Sequence, residues 1–166
     1  GDFHYTNVEL ETMKRDVLAA KAAGAAGVAV GALERDGTVS RFALRTLVAA
    51  ARPMSITFHR AFDHVVDPLR GLETLVEHGV ERVLTSGGAA TAPEGAERIA
   101  ELVRAARGRI TILAGGGVRP ENVRALVRAT GVDEVHATAR RLVESAMEHR
   151  PDEPRFDSDP IGLWEL

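Results

Sequence analysis

Short apolar runs recur along this chain at a steady interval. They are Gly27-Val28-Ala29-Val30-Gly31, Met54-Ser55-Ile56-Thr57-Phe58, Arg82-Val83-Leu84-Thr85-Ser86, Ile110-Thr111-Ile112-Leu113 and Glu134-Val135-His136-Ala137. Their starts fall about 24 to 28 residues apart, the length of one strand plus one helix and its turns. The intervening segments carry apolar residues at helical spacing: Leu69, Leu72, Leu75 and Val76 in one, Ile99, Leu102 and Val103 in another. Helix starts are marked by the capping-box pair Thr6 and Glu9, by Asp67-Pro68, and by Pro120 with Glu121. Gly24, Gly79, Gly108 and Gly131 stand where a helix would close on a left-handed residue.

Strands this short and apolar, alternating with helices, predict a parallel sheet covered by helices. A doubly wound open sheet and a (β/α)₈ TIM barrel both fit that pattern. The first strand is followed by Gly31-Ala32-Leu33-Glu34, which is not the glycine-rich turn of a dinucleotide fold. From the second strand onward, polar residues and glycines gather just past each strand's C-terminal end. Barrel enzymes build their sites there, so the expected fold is an α/β partial barrel of five C-terminal βα units. Residues 1–143 form the expected domain and residues 144–166 a loosely held tail.

Composition narrows the function classes. The chain has 166 residues, 45% of them hydrophobic, which suffices for one core. Net charge is −3 with both signs interspersed, so neither a nucleic-acid stripe nor a membrane-binding patch is expected. No apolar run approaches the roughly 18 residues needed to span a bilayer, and the first residues do not read as a signal peptide. A cytoplasmic setting is the expectation. With no cysteine, disulfides and thiolate metal sites are excluded.

The candidate chemistry lies at the strand ends. Thr57-Phe58-His59-Arg60-Ala61-Phe62-Asp63 puts a titratable base, a fixed cation and a carboxylate within five positions. Thr85-Ser86-Gly87-Gly88 offers hydroxyls followed by exposed backbone N–H groups. Gly115-Gly116-Gly117-Val118 is either a tight strand-to-helix turn or an anion cradle, and a barrel context favours the cradle. His136 stands in an apolar strand as a structural or a catalytic histidine, with Thr138 just beyond it. His59, Asp63 and His136 are the catalytic candidates. Arg60, Thr85, Ser86, Gly87, Gly115, Gly116, Gly117 and Thr138 are the candidates for holding a small anionic ligand. His4, His64, His78 and His149 are expected on the surface.

Several of these stretches carry a family resemblance. Asp2-Phe3-x-Tyr5, Met13-Lys14-x-Asp16, Gly27-Val28-x-x-Gly31-x-Leu33, Thr57-Phe58-His59-Arg60-Ala61-Phe62-Asp63, Leu84-Thr85-Ser86-Gly87, Gly115-Gly116-Gly117-Val118-Arg119 and His136-Ala137 fall in the order and spacing of the copper-homeostasis family CutC. The chain resembles that family over residues 1–140. The resemblance implies a TIM barrel and a link to copper, with His59 and His136 as the candidate ligands. It also implies that about three strands precede the segment seen here, carrying an acidic residue and an Arg-Pro-Arg-Gly run. Two positions depart from the family pattern: Thr138 where Ser is usual, and Ala114 where Pro is usual.

Three functions follow as expectations. One is copper homeostasis with direct handling of Cu(I). The chemistry of the ligands argues against tight binding, because Cu(I) prefers thiolate and thioether donors and none of Met13, Met54 and Met147 sits at a strand end. The second is a barrel enzyme acting on a small anionic or phosphorylated metabolite, with Arg60 clamping the anion and His59 or Asp63 moving a proton. The third is a fragment inactive by itself, whose open sheet edges favour a homo-oligomer or a full-length parent.

Overall fold

The computed structural model describes residues 1–138, 141–143 and 163–165. Five helices alternate with five strands: α1 (Asn7–Ala22), β1 (Gly27–Val30), α2 (Arg41–Ala51), β2 (Ser55–Phe58), α3 (Pro68–Glu77), β3 (Arg82–Thr85), α4 (Ala96–Ala106), β4 (Thr111–Gly115), α5 (Val123–Thr130) and β5 (Glu134–His136). The strands pair in chain order, each parallel to the next. All five apolar runs are therefore strands, and the architecture is the expected α/β partial barrel.

Local signals act where the sequence places them. The Thr6 hydroxyl accepts the Glu9 N–H, and the Glu9 carboxylate accepts the Thr6 N–H at 2.7 Å. Asp67 caps α3 with Pro68 at its first turn. Gly24, Gly79, Gly108 and Gly131 all take positive φ, between 71° and 81°. One start differs: Pro120 and Glu121 lie in a turn and Asn122 precedes α5, since its side chain bonds Arg119 N–H and Gly117 C=O and so closes that turn first. His4 and His78 are half-buried rather than exposed, each bonding a backbone carbonyl through Nδ1. The expected tail lies outside the described residues over 144–162 and at 166. Residues 163–165 form β7 (Leu163–Glu165), antiparallel to β6 (Arg141–Val143).

The two faces of the main sheet differ. Val30, Ile56, Phe58, Val83, Ile112 and Ala114 point under the helices and share one core with Leu44, Leu47, Leu72, Leu75, Ile99 and Leu102. Their strand neighbours Ser55, Thr57, Arg82, Leu84 and Glu134 point the other way and stay half-exposed. On that face the Arg82 guanidinium donates to Glu134 at 2.8 Å and to the Ser55 hydroxyl at 3.0 Å, tying β2, β3 and β5 together. Among the described residues, no helix is long and apolar enough to cross a membrane.

Candidate functional site

The end of β2 runs straight into a single 3₁₀ turn, Arg60–His64. Phe62 anchors this turn in the core, edge-on to Phe58 with ring centroids 6.5 Å apart. With Phe62 inward, Arg60 and Asp63, three positions apart, are left to face the strand ends together. Arg60 Nε donates to Asp63 at 2.7 Å, and Arg60 Nη2 donates to the Ser86 hydroxyl at 2.8 Å.

Asp63 is not free to meet a ligand. Its side chain is 6% exposed, and the loop after β3 wraps it. Oδ1 accepts the Thr85 hydroxyl at 2.5 Å, Ser86 N–H at 2.9 Å and Gly88 N–H at 3.1 Å. Oδ2 accepts Arg60, and the single Ser86 hydroxyl proton is shared between Oδ2 at 3.0 Å and the Ala89 carbonyl at 2.6 Å. Burial by itself would raise the Asp63 pKa, but hydrogen bonds from Thr85, Arg60, Gly88 and Ser86 outweigh it and hold the carboxyl below the usual aspartate range. Thr85 and Ser86 are 1% and 0% exposed, and Gly87 N–H donates to the Thr85 hydroxyl. The hydroxyls and N–H groups read from the sequence as an anion site thus already hold an anion, the protein's own.

The three glycines at the end of β4 do different things. Gly115 is buried in β4, and a Cβ there would lie 3.2 Å from the Cβ of His136 across the strand pair. It is a packing glycine. Gly116 turns the chain at φ +102°, and a Cβ on it would meet Arg60 Nη1 at 3.3 Å. Gly117, at φ +68°, sits against Thr91. The Gly116 and Gly117 carbonyls are taken by Ala92 N–H and the Asn122 amide. The N–H groups of Gly116, Gly117 and Val118 donate to no acceptor among the described residues, and neither does Arg60 Nη1. Three consecutive backbone donors are thus unspent in a turn whose Gly116 lies beside Arg60, a guanidinium that is 44% exposed.

The His59 ring lies on the β1 side of that turn. Its ring lies against Gly31 at the end of β1, where a Cβ would come within 2.6 Å of Nδ1. Phe3 packs over it with centroids 5.3 Å apart. Burial pushes the imidazole pKa below the usual histidine value. His136 is exposed on β5, with Thr138, also exposed, just past the strand. Gly31, Phe3 and Val118 belong to this face although the sequence marked none of them as a site residue. The available signal was that all three stand in the motifs that carry the family resemblance.

His59 and His136 stand at the ends of strands that are not neighbours. Three inter-strand steps separate β2 from β5, roughly 14 Å at the usual sheet spacing, and the His59 ring leans further toward β1. Among the described residues no three histidine or carboxylate groups cluster to hold a metal, and Met54 is buried in the core.

Known proteins resemble this chain closely. A description of the CutC family matches residues 1–141. The mouse (Mus musculus) protein named copper homeostasis protein cutC homolog is 45% identical over 150 residues, which cover 90% of this chain and 55% of that one. The human (Homo sapiens) protein of the same name is 44% identical over the same shares. The chain thus spans little more than half the length of these relatives. A solved structure bearing the CutC name, from Streptococcus agalactiae, superposes with a TM-score of 0.78 at 31% identity, covering 82% of this chain and 67% of that one. An aldolase at 19% identity and a TM-score of 0.60 shares the fold alone. With 141 of its 166 residues matched to the family, the chain belongs to the CutC family.

Proposed function

We propose that the chain serves copper homeostasis, the role named for its mouse and human relatives, by binding a small anionic ligand at its strand-end face. One observation carries this reading. Arg60 Nη1 lies over Gly116, and neither it nor the N–H groups of Gly116, Gly117 and Val118 has an acceptor among the described residues. Donors left together in this way suit a phosphate or carboxylate, whose oxygens take several charge-assisted bonds at once. Asp63 supports the site from behind, fixing the other edges of the guanidinium.

Direct copper coordination by His59 and His136 has little support from their separation. Acid–base catalysis has little more, because both Asp63 oxygens are engaged and His59 Nδ1 is already in a hydrogen bond. A cytoplasmic setting belongs to the same proposal and is checked by cell fractionation. Self-association belongs to it too, since β1 and β5 end the sheet and the face opposite the helices is half-exposed.

Calorimetric titration with inorganic phosphate tests the anion site. Binding should weaken as salt rises and be lost in Arg60→Ala. Indifference of phosphate affinity to that substitution would overturn the reading. A Cu(I) titration against a competing chelator tests the other half. Tight stoichiometric binding that vanishes in a His59→Ala, His136→Ala double variant would restore copper as the ligand.

A further inference from the structure

We infer that His59 enters this site as a neutral hydrogen-bond donor through Nε2–H, so that the ligand carries an acceptor oxygen, carbonyl or hydroxyl, in addition to its anionic group. The inference rests on the anion site proposed above and names the second end of the same ligand.

The argument begins with a bond that has only one direction. The Ala61 backbone N–H points at His59 Nδ1, 3.1 Å away, and caps the 3₁₀ turn. A backbone amide can only donate, so Nδ1 is the acceptor and the ring proton sits on Nε2. Protonating Nδ1 as well would set two donors head to head and break the cap. The surroundings disfavour the cation independently. The ring is enclosed by Phe3, Phe58, Gly31 and Ala61, with no carboxylate bonded to it. Burial lowers the pKa in the same direction.

The slot is built for this ring. Gly31 leaves it room: a side chain there would lie 2.6 Å from Nδ1 and 2.9 Å from the Ala61 Cβ. Phe3 closes the other side from a left-handed backbone, φ +61°, that a bulky residue adopts only when its surroundings hold it there. The Phe3 carbonyl accepts Leu33 N–H at 2.8 Å, which fixes the segment to the end of β1. Its ring touches both His59 and His64, at 5.3 and 5.5 Å between centroids.

What remains is Nε2–H. Among the described residues it makes no bond, and no buried side-chain nitrogen or oxygen there lacks a partner, so this atom meets solvent. A ligand at the end of β2 can therefore reach it. Its lone pair is spent in the ring and its proton is held too firmly to be given up near neutral pH. It can polarise or orient an oxygen but cannot accept a proton. Roughly two strand steps, about 10 Å, separate the ends of β2 and β4, a span that the ligand and its hydrogen bonds at each end must cover.

Two measurements on the full chain test this. Long-range proton–nitrogen spectra of the labelled ring should give an unprotonated Nδ1 and a protonated Nε2 at pH 7. An Nδ1–H ring or an imidazolium at that pH would overturn the inference. Binding of dihydroxyacetone phosphate is then compared with inorganic phosphate. His59→Asn keeps an oxygen to accept Ala61 N–H but loses the outer donor, while His59→Gln restores a donor near Nε2. Affinity for the carbonyl compound should fall roughly five-fold in His59→Asn, the worth of one hydrogen bond, and recover in His59→Gln. Phosphate affinity should stay level in both. An equal loss for both probes in His59→Asn would reduce His59 to a prop for the turn and overturn the inference. Failure of the unaltered chain to bind phosphate would sink the anion site alone, with the ring spectrum still deciding the state of His59.

Discussion

Replacing Asp63 by alanine removes the acceptor that organises the whole strand-end face. The Ser86 N–H and the Thr85 hydroxyl, both fully buried, lose their partner, while Gly88 is exposed enough for water to replace it. An orphaned buried donor costs about 1–3 kcal/mol, so two of them, with Arg60 partly relieved by solvent, predict a loss of about 3–4 kcal/mol. Asparagine is scarcely gentler. The two Asp63 oxygens face donors on both sides, so in either orientation the new NH₂ meets N–H or O–H groups. A loss of about 2 kcal/mol is expected, and urea unfolding with an unchanged slope reads it as a midpoint shift of about 1 M. The acid limb supplies a second readout. The folded pKa of Asp63 is depressed, so its contribution is complete above the unfolded aspartate value of about 3.9 and is lost as pH falls through the folded value. Asp63→Asn should lack that part of the acid limb. A stability change below about 0.5 kcal/mol in Asp63→Ala would refute the account, because it would mean the loop after β3 holds its shape without the carboxylate.

Other substitutions probe the remaining parts. Gly31→Ala pushes a methyl into the His59 ring and Ala61, and Ala61 is too buried to retreat. It should cost about 1–3 kcal/mol and lower Tm by several degrees, with the His59 ring resonances displaced. Gly116→Ala forces a side chain at φ +102° beneath Arg60 and should abolish phosphate binding in the calorimeter while the chain stays folded. Arg82→Ala breaks bonds to Glu134 and Ser55 that are about a third exposed, so chemical unfolding should register less than about 1 kcal/mol. Sedimentation should find a species larger than the monomer, and a strictly monomeric chain would remove the case for self-association.

The chain's own pattern was enough for the frame. Helix ends depend on residues within one turn, so Thr6 with Glu9, Asp67 with Pro68, and the four glycines at C-terminal caps act as their local chemistry requires. Strand positions follow from apolar runs that must be buried against helices, and the repeat of the unit fixes their parallel order. The grouping of polar residues past strand ends was legible for the same reason: parallel strands bring all their C-terminal ends to one side.

What each of those residues does was decided by contacts between strands far apart in sequence. Asp63 reads as a free carboxylate until β3 brings Thr85, Ser86 and Gly88 around it, 22 to 25 positions away. Three consecutive glycines look alike in the sequence, but Leu84 and His136 crowd the first, Arg60 covers the second and Thr91 the third. His59 and His136 look alike as strand-end histidines, but sheet order sets them three strands apart and Gly31 makes room for the first ring on the β1 side. Local sequence determines where a turn or a strand begins, because hydrogen bonding and burial there involve near neighbours. Which donors remain free is settled only when neighbouring strands come into register, since each donor stays available until some distant acceptor claims it.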